Sequence, residues 1–413
     1  MNLILSLALL WTSLAAACPW EQLAEEGLLQ ARAERTARMA KEAGLNVASA
    51  DAPTYRRVRY VSRAGGKDVV TYSYLDMAGR EVKGARLREI ENRLRELKIV
   101  PPPNWDDVTV SLDPKAHIQA RGKDKSGAVQ SLYHPAWNKV RDAHKFELNI
   151  HFGHALNRIR ETALEDLKSP GLTKAKVLAS MVLLMDGTQV RVGNEGSAED
   201  GKFGLSTFNK SHIKIINEQE VQLNFHGKHG IKNDSQKVVE ESLIPALRQL
   251  MRTPGQRLFQ YYDDGGHLRQ ITAQEFNDYL TEISGNGFTA KSFRTWWATV
   301  NAMEYLTYGE RPKSAGAVHG DKDRKAWEKQ LKEQWKEAVE AAAFTLNNQP
   351  AQARKSYIDP IIWEVFSRDP DAIWDAFRAP RGPVPRDLQR LTPAERAVLR
   401  FLEAQHGALA IDG

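Results

Sequence analysis

The sequence predicts an α+β protein: a small, basic, mixed α/β N-terminal domain, then a mainly helical domain interrupted by one β-hairpin. Three observations carry this. Polar and apolar residues alternate over residues 55–82, around Val69-Val70-Thr71-Tyr72, as short strands require. From about Tyr133 the apolar residues recur at helical spacing instead, through residues 146–167, 175–185, 237–251 and 273–284. The whole charge excess of +6 falls in one stretch: residues 51–150 hold 19 Lys+Arg against 13 Asp+Glu, and the remainder carries 39 of each. With 413 residues, 42% hydrophobic and 27% charged, the chain has the length for two or three domains and is not a disordered polyion.

The elements follow in order. Residues 3–17 are almost wholly apolar and end in Ala15-Ala16-Ala17, the shape of a secretory signal core. No Lys or Arg precedes them, and the run falls short of the roughly 20 apolar residues that a membrane span needs. A charged helical stretch over 21–43 follows, and a start of translation at Met39 is the other reading of this region. We take 1–50 as an N-terminal extension and 51–132 as the basic domain. In the latter, Gly65-Gly66 and Gly79 turn the strands. Leu87, Ile90, Leu94 and Leu97 mark a helix over 83–98 that Pro101-Pro102-Pro103 ends, and 108–110 and 117–120 are further strands.

The helical domain is taken as 133–370. Its hairpin has a strand at 221–225, a tight turn at His226-Gly227-Lys228-His229-Gly230, and a return strand from Ile231. A long helix over 323–346 shows Trp327, Leu331, Trp335, Ala338 and Ala342 at core spacing. A Pro/Arg segment at 378–386 breaks the chain, and a short helix over 393–405 lies in a C-terminal tail, 371–413.

Composition removes several functions. The single Cys18 excludes an internal disulfide and any multi-cysteine zinc site. No Gly-x-x-x-x-Gly-Lys-Ser/Thr loop, His-Glu-x-x-His or Gly-x-Ser-x-Gly is present. A basic end suggests an anionic partner, nucleic acid above all, although a solvated basic surface has the same composition. The residues that stand out are Arg191 in Gln189-Val190-Arg191-Val192-Gly193-Asn194, Lys228 at the hairpin tip, Arg294 in Lys291-Ser292-Phe293-Arg294-Thr295-Trp296, and Asn348 nine residues before Tyr357 in Ser356-Tyr357-Ile358-Asp359-Pro360.

In this order these motifs resemble the type IB DNA topoisomerases of bacteria and poxviruses, over about residues 55–364. Tyr133-His134-Pro135-Ala136-Trp137, Gly204-Leu205-Ser206-Thr207 and Lys210-Ser211-His212 extend the resemblance. It implies a C-shaped clamp around double-stranded DNA, with a catalytic core shared with tyrosine recombinases. It also implies a nucleophile, Tyr357, that becomes joined to the DNA 3′ phosphate. Arg191, Arg294, Lys228 and Asn348 would be the other catalytic groups, the Asn348 place being filled by His in many relatives. The residue types suit the chemistry. Attack on a phosphodiester builds negative charge that guanidinium forks hold, and the departing 5′ oxygen needs a proton, which a lysine can give. No cofactor, metal, ATP or membrane partner is expected, and the protein is expected to be a cytoplasmic, nucleoid-associated monomer.

Two positions depart from the family. Relatives often read Gly-Asn-Glu-Glu-Tyr where this chain has Gly193-Asn194-Glu195-Gly196-Ser197, so Ser197 replaces a tyrosine that would touch DNA. Ile-His-Pro often follows the nucleophile, whereas here Asp359 stands in the His place and would either repel phosphate or face away. A tyrosine site-specific recombinase and a non-catalytic DNA-binding protein are the alternatives. Lys291, where recombinases place His, speaks against the first, and the five filled catalytic positions speak against the second.

Overall fold

The computed structural model describes residues 33–409 except 35, 50, 51, 65, 66, 126, 286 and 379–382. The apolar run at 3–17, most of the stretch at 21–43 and the Gly65-Gly66 turn lie outside the described residues. The chain divides into two compact units, 1–145 and 146–413. Among the described residues no helix is long and apolar enough to cross a membrane.

The first unit is built on a five-stranded sheet of order β2-β1-β3-β4-β5. The strands are β1 (Thr54–Ala64), β2 (Lys67–Leu75), β3 (Asp106–Ser111), β4 (Ile118–Lys123) and β5 (Val129–Tyr133), and every neighbouring pair is antiparallel. One face receives helix α1 (Gly84–Glu96), whose Ile90 and Leu94 pack with Tyr55, Tyr74, Val110 and Ala120. Helical spacing put Ile90 and Leu94 on one stripe, and burying that stripe holds α1 to the sheet. Not all the basic residues here are free for a partner. Arg57 donates to the carbonyls of Pro101, Pro102 and Trp105, and Arg93 donates to Ser111. Arg56, Arg59 and Arg63 stay exposed on β1. A small cluster of Met39, Ala40, Leu45 and Trp137 completes this unit.

The second unit is mainly helical. Its elements are α2 (Pro135–Asp166, which begins in the first unit), α3 (Lys174–Thr188), α4 (Glu195–Glu199), the three-stranded antiparallel sheet β6 (Ile213–Ile215), β7 (Glu220–His226) and β8 (Lys232–Val238), α5 (Leu243–Met251), a short pair β9 (Gln260–Tyr262) and β10 (Leu268–Gln270), α6 (Ala273–Ser284), α7 (Ala290–Tyr305), α8 (Asp321–Thr345), α9 (Pro350–Ser356), α10 (Pro360–Phe366), α11 (Asp371–Ala376) and α12 (Pro393–Leu409). Helices α3 and α7 lie in the core and are buried on most of their circumference. Gly153 on α2 is required there, since a Cβ would lie 2.7 Å from the Trp296 ring.

The helix expected over 237–251 begins only at Leu243. Lys237 and Val238 instead complete the hairpin, opposite Val221 and Glu220. The C-terminal segment is packed rather than trailing: Val398, Leu399, Phe401 and Leu402 of α12 belong to the same core as α7. A buried ion network fastens it. Arg160 donates to Asp186 at 2.7 and 3.1 Å and to Glu395 at 2.8 and 2.8 Å, while the indoles of Trp296 and Trp297 donate to Glu395 and Asp186. With these charges matched and bonded, removing one partner would strand the others in a dry interior.

Candidate active site

Arg191 follows α3, which stops at Gln189 in a left-handed conformation (φ 56°). The chain then runs extended against the segment at 204–206: Leu205 and Ser206 donate their N–H groups to the carbonyls of Arg191 and Val192 at 2.9 and 2.8 Å. Two glycines allow this contact. A Cβ at Gly204 would lie 2.5 Å from the Gly193 nitrogen, and Gly193 itself has φ +80°. The motif around Arg191 is therefore a backbone clamp that fixes where the guanidinium emerges.

Arg294 rises from α7 and is 3% exposed. Its two terminal nitrogens donate to the carbonyls of Gln189 and Leu346, while its Nε, also buried, has no acceptor. The guanidinium lies 5.3 Å from the centre of the Tyr357 ring. Burial, with Arg191 alongside, lowers the Arg294 pKa to about 10, so the group remains a cation at neutral pH. Tyr357 ends α9 and is partly exposed. Burial alone would push its phenol up, but Arg294, Arg191 and Lys291 together bring it below the ordinary tyrosine value. A phenol held this way gives up its proton more readily and is a better nucleophile at a given pH.

Asn348 lies past the end of α8, after Asn347 in a left-handed turn (φ 49°). Its Oδ1 accepts from Arg191, and its Nδ2 is buried without a partner. Lys228 sits at the hairpin tip, where His229 (φ 64°) and Gly230 (φ 70°) turn the chain. Its side chain is exposed, and among the described residues none pairs with it. Arg191, Lys228, Arg294 and Asn348 line one cavity of about 510 Å³ whose wall also carries Lys232, Lys237 and a single carboxylate, Asp234. Asp234 is engaged by Lys232 at 2.7 Å, so the cavity is strongly cationic. Among the described residues no group of three or more His, Cys, Asp or Glu has the arrangement to hold a metal ion.

The structure thus gathers all five sequence-predicted residues: four on the cavity wall, and Tyr357 against Arg294. Asp359 faces away from the site. It is 1% exposed, caps α10 through Ile361 N–H at 3.1 Å, and lies 3.3 Å from His406. Sequence reasoning missed Lys237. Its ammonium donates to the Thr345 carbonyl at 3.0 Å and is pushed down by burial and by Arg294. With Asn347 donating to the Lys232 carbonyl at 3.3 Å, it stitches the hairpin to the segment before Asn348. Sequence reasoning also missed Thr299, which donates to the Tyr357 carbonyl at 3.3 Å. The return strand expected from Ile231 is present as β8, but it is polar through Lys237 and has no fully buried residue, so the sequence does not mark where it ends.

The chain also matches known families. The family described as "Eukaryotic DNA topoisomerase I, catalytic core" matches residues 134–361, more than half of the chain. That described as "Bacterial DNA topoisomerase IB, N-terminal domain" matches residues 71–124. The chain is similar to "DNA topoisomerase 1B" of Acanthamoeba polyphaga mimivirus, with 29% identity over 317 residues, 76% of this chain and 88% of the relative.

Proposed function

The chain belongs to the type IB DNA topoisomerases, and from that premise we propose that Tyr357 performs the strand cleavage and resealing. Tyr357 Oη attacks the scissile phosphorus and loses its proton, a loss the surrounding cations favour. The bond from phosphorus to the 5′ oxygen breaks, leaving the phosphate on Tyr357 as a 3′-phosphotyrosine. The 5′ oxygen departs as a hydroxyl with a proton from Lys228. Torsion in the DNA then turns the free end, and the reverse reaction reseals the strand.

The observation that carries this reading is a pair of buried, unpartnered donors: Arg294 Nε, whose guanidinium lies beside the Tyr357 ring, and Asn348 Nδ2, on the same cavity wall as Arg294. Buried donors are normally satisfied, and leaving one unmade costs about 1–3 kcal/mol. Two donors at a cationic cavity suit an anion with several oxygens, which a phosphodiester supplies. Arg191, held by Asn348, completes the set. Preorganised donors of this kind contribute about 3–4 kcal/mol each to a charged transition state.

The phosphotyrosine bond conserves the energy of the broken phosphodiester, and the positive charge comes from side chains. Relaxation of supercoiled DNA should therefore proceed in EDTA without ATP, and an absolute need for either would refute the scheme. The protein acts as a monomer, one tyrosine cutting one strand. A duplex-DNA substrate supports a cytoplasmic, nucleoid-associated location. Native protein recovered from the periplasm and cleaved near Ala17 would overturn that assignment. Phosphate contacts dominate binding, so affinity should fall steeply with salt.

A further inference from the structure

We propose that His406, on α12, is a positioning residue for Tyr357, acting through the buried carboxylate of Asp359. The inference rests on the reading of Tyr357 as the nucleophile. Tyr357 closes α9 and Asp359 caps α10, so the nucleophile's backbone belongs to a tight corner between two helices. Three elements hold that corner. Within α9, the N–H groups of Tyr357 and Ile358 both donate to the Ala353 carbonyl, at 2.9 and 3.1 Å. From α7, Thr299 Oγ1 donates to the Tyr357 carbonyl at 3.3 Å and accepts the Asp359 N–H at 3.2 Å. From α12, His406 Nε2 lies 3.3 Å from Asp359 Oδ2.

The third hold differs from the others because it depends on charge. Asp359 is 1% exposed, and a carboxylate taken out of water needs compensation. One oxygen receives it from the α10 cap, and the other faces His406. Among the described residues, the charged groups that act most on His406 are acidic: Asp359, Glu147 of α2 and Glu364 of α10. The bond to Asp359 outweighs burial and raises the imidazole above its ordinary value. Helix α12 is itself anchored by the fully buried Glu395 on Arg160 and Trp296. His406 therefore acts from a fixed support. This support lies outside both family matches, which cover residues 134–361 and 71–124.

The sign follows from the raised value. Below the ordinary histidine range the imidazolium is complete and the corner is held. As pH rises through the raised value the charge is lost, and Asp359 is left buried with a neutral neighbour that at best keeps a hydrogen bond. Loss of that charge should therefore slow cleavage as pH rises through the His406 value. A glutamine at 406 would mimic the neutral imidazole at every pH.

The test is single-turnover covalent-adduct formation by the full chain on a duplex that traps the cleaved state. It would be run from about pH 5.5 to 9, spanning the ordinary histidine range, with wild type, His406→Gln and His406→Lys, and with DNA affinity measured in parallel. We expect His406→Gln to be about tenfold slower than wild type at the acid end, the size of a modest misplacement of a reacting group. The two should converge at the alkaline end, with equal affinity for DNA. His406→Lys, charged throughout, should exceed wild type at the alkaline end. A ratio of wild type to His406→Gln that does not change with pH, near one or far from it, overturns the proposal. If the Gln variant does not fold, the Lys variant decides, and an alkaline decline identical to wild type overturns it. Tyr357→Phe is the control that separates the two readings. An adduct formed by that variant removes the nucleophile assignment, whereas an inert Tyr357→Phe with a pH-independent ratio removes only His406.

Discussion

Three substitutions at Asn348 separate its two roles, accepting from Arg191 through Oδ1 and offering a buried Nδ2 with no partner. Asn348→Ala removes the unpartnered donor. Losing one preorganised donor should cost about 3 kcal/mol of transition-state stabilisation, roughly 10²-fold in the cleavage rate. Stability should fall by only about 1 kcal/mol, the value of one hydrogen bond on a partly exposed side chain. Asn348→Asp has the same shape and keeps the acceptor for Arg191, so the fold should tolerate it at least as well. It turns a negative oxygen toward the phosphate, however. Two like charges about 4 Å apart at an effective dielectric near 20 cost about 4 kcal/mol, a further loss of roughly 10³-fold. Asn348→His restores a donor and should recover to within about tenfold of wild type. The assay is single-turnover adduct formation on a trapping duplex, with urea unfolding run alongside. If Asn348→Asp cleaves faster than Asn348→Ala, Nδ2 does not face the phosphate and the reasoning fails.

Lys228→Ala should slow cleavage by about 10²–10⁴-fold, the range for a lost general acid. A 5′-bridging sulfur, which leaves without a proton, should rescue it far better than it rescues Arg191→Ala or Arg294→Ala, and equal rescue of all three would remove the general-acid role. Glu395→Ala strands Arg160 and the Trp296 indole, and should lower unfolding free energy by about 3–5 kcal/mol in urea titrations; a change below about 1 kcal/mol would mean the network contributes little. Lys291→Met removes one of the three cations that lower the Tyr357 pKa. The phenolate absorbance, read as the difference between each protein and its Tyr357→Phe counterpart, should then appear at higher pH than in wild type, and an unmoved curve would contradict the electrostatic account.

The five catalytic candidates came from the family resemblance that their motifs carry together and in order; singly, an exposed lysine at a hairpin tip or an arginine after a helix reads as surface charge. The small domain was legible through period-two alternation on β1 and β2 and the stripe on α1. Helix α7 was not: Phe293, Trp296, Val300 and Met303 share one face at helical spacing, but the polar Arg294, Thr295 and Thr299 are buried too, so no solvated face sets the element apart. Lys237 was misread because β8, polar along its length to that residue and without a fully buried one, gives no sign of where the return strand ends. The docking of α12 depends on pairings such as Glu395 with Arg160 and His406 with Asp359, which join residues 235 and 47 positions apart. In sequence each is a lone charge on a helix. Asp359 was left between repelling phosphate and facing away, and only its burial decides for the latter.

The most direct test of the account is where the DNA becomes attached. A labelled duplex would be trapped in the cleaved state on wild type and on Tyr357→Phe, a change that removes one oxygen and little packing. Each complex would be digested and its nucleotide-bearing peptide sequenced by mass spectrometry. The account predicts a nucleotide on Tyr357 in the wild type, and in Tyr357→Phe no adduct but undiminished binding of duplex DNA. An adduct on any other residue, or one formed by Tyr357→Phe at wild-type yield, would contradict it.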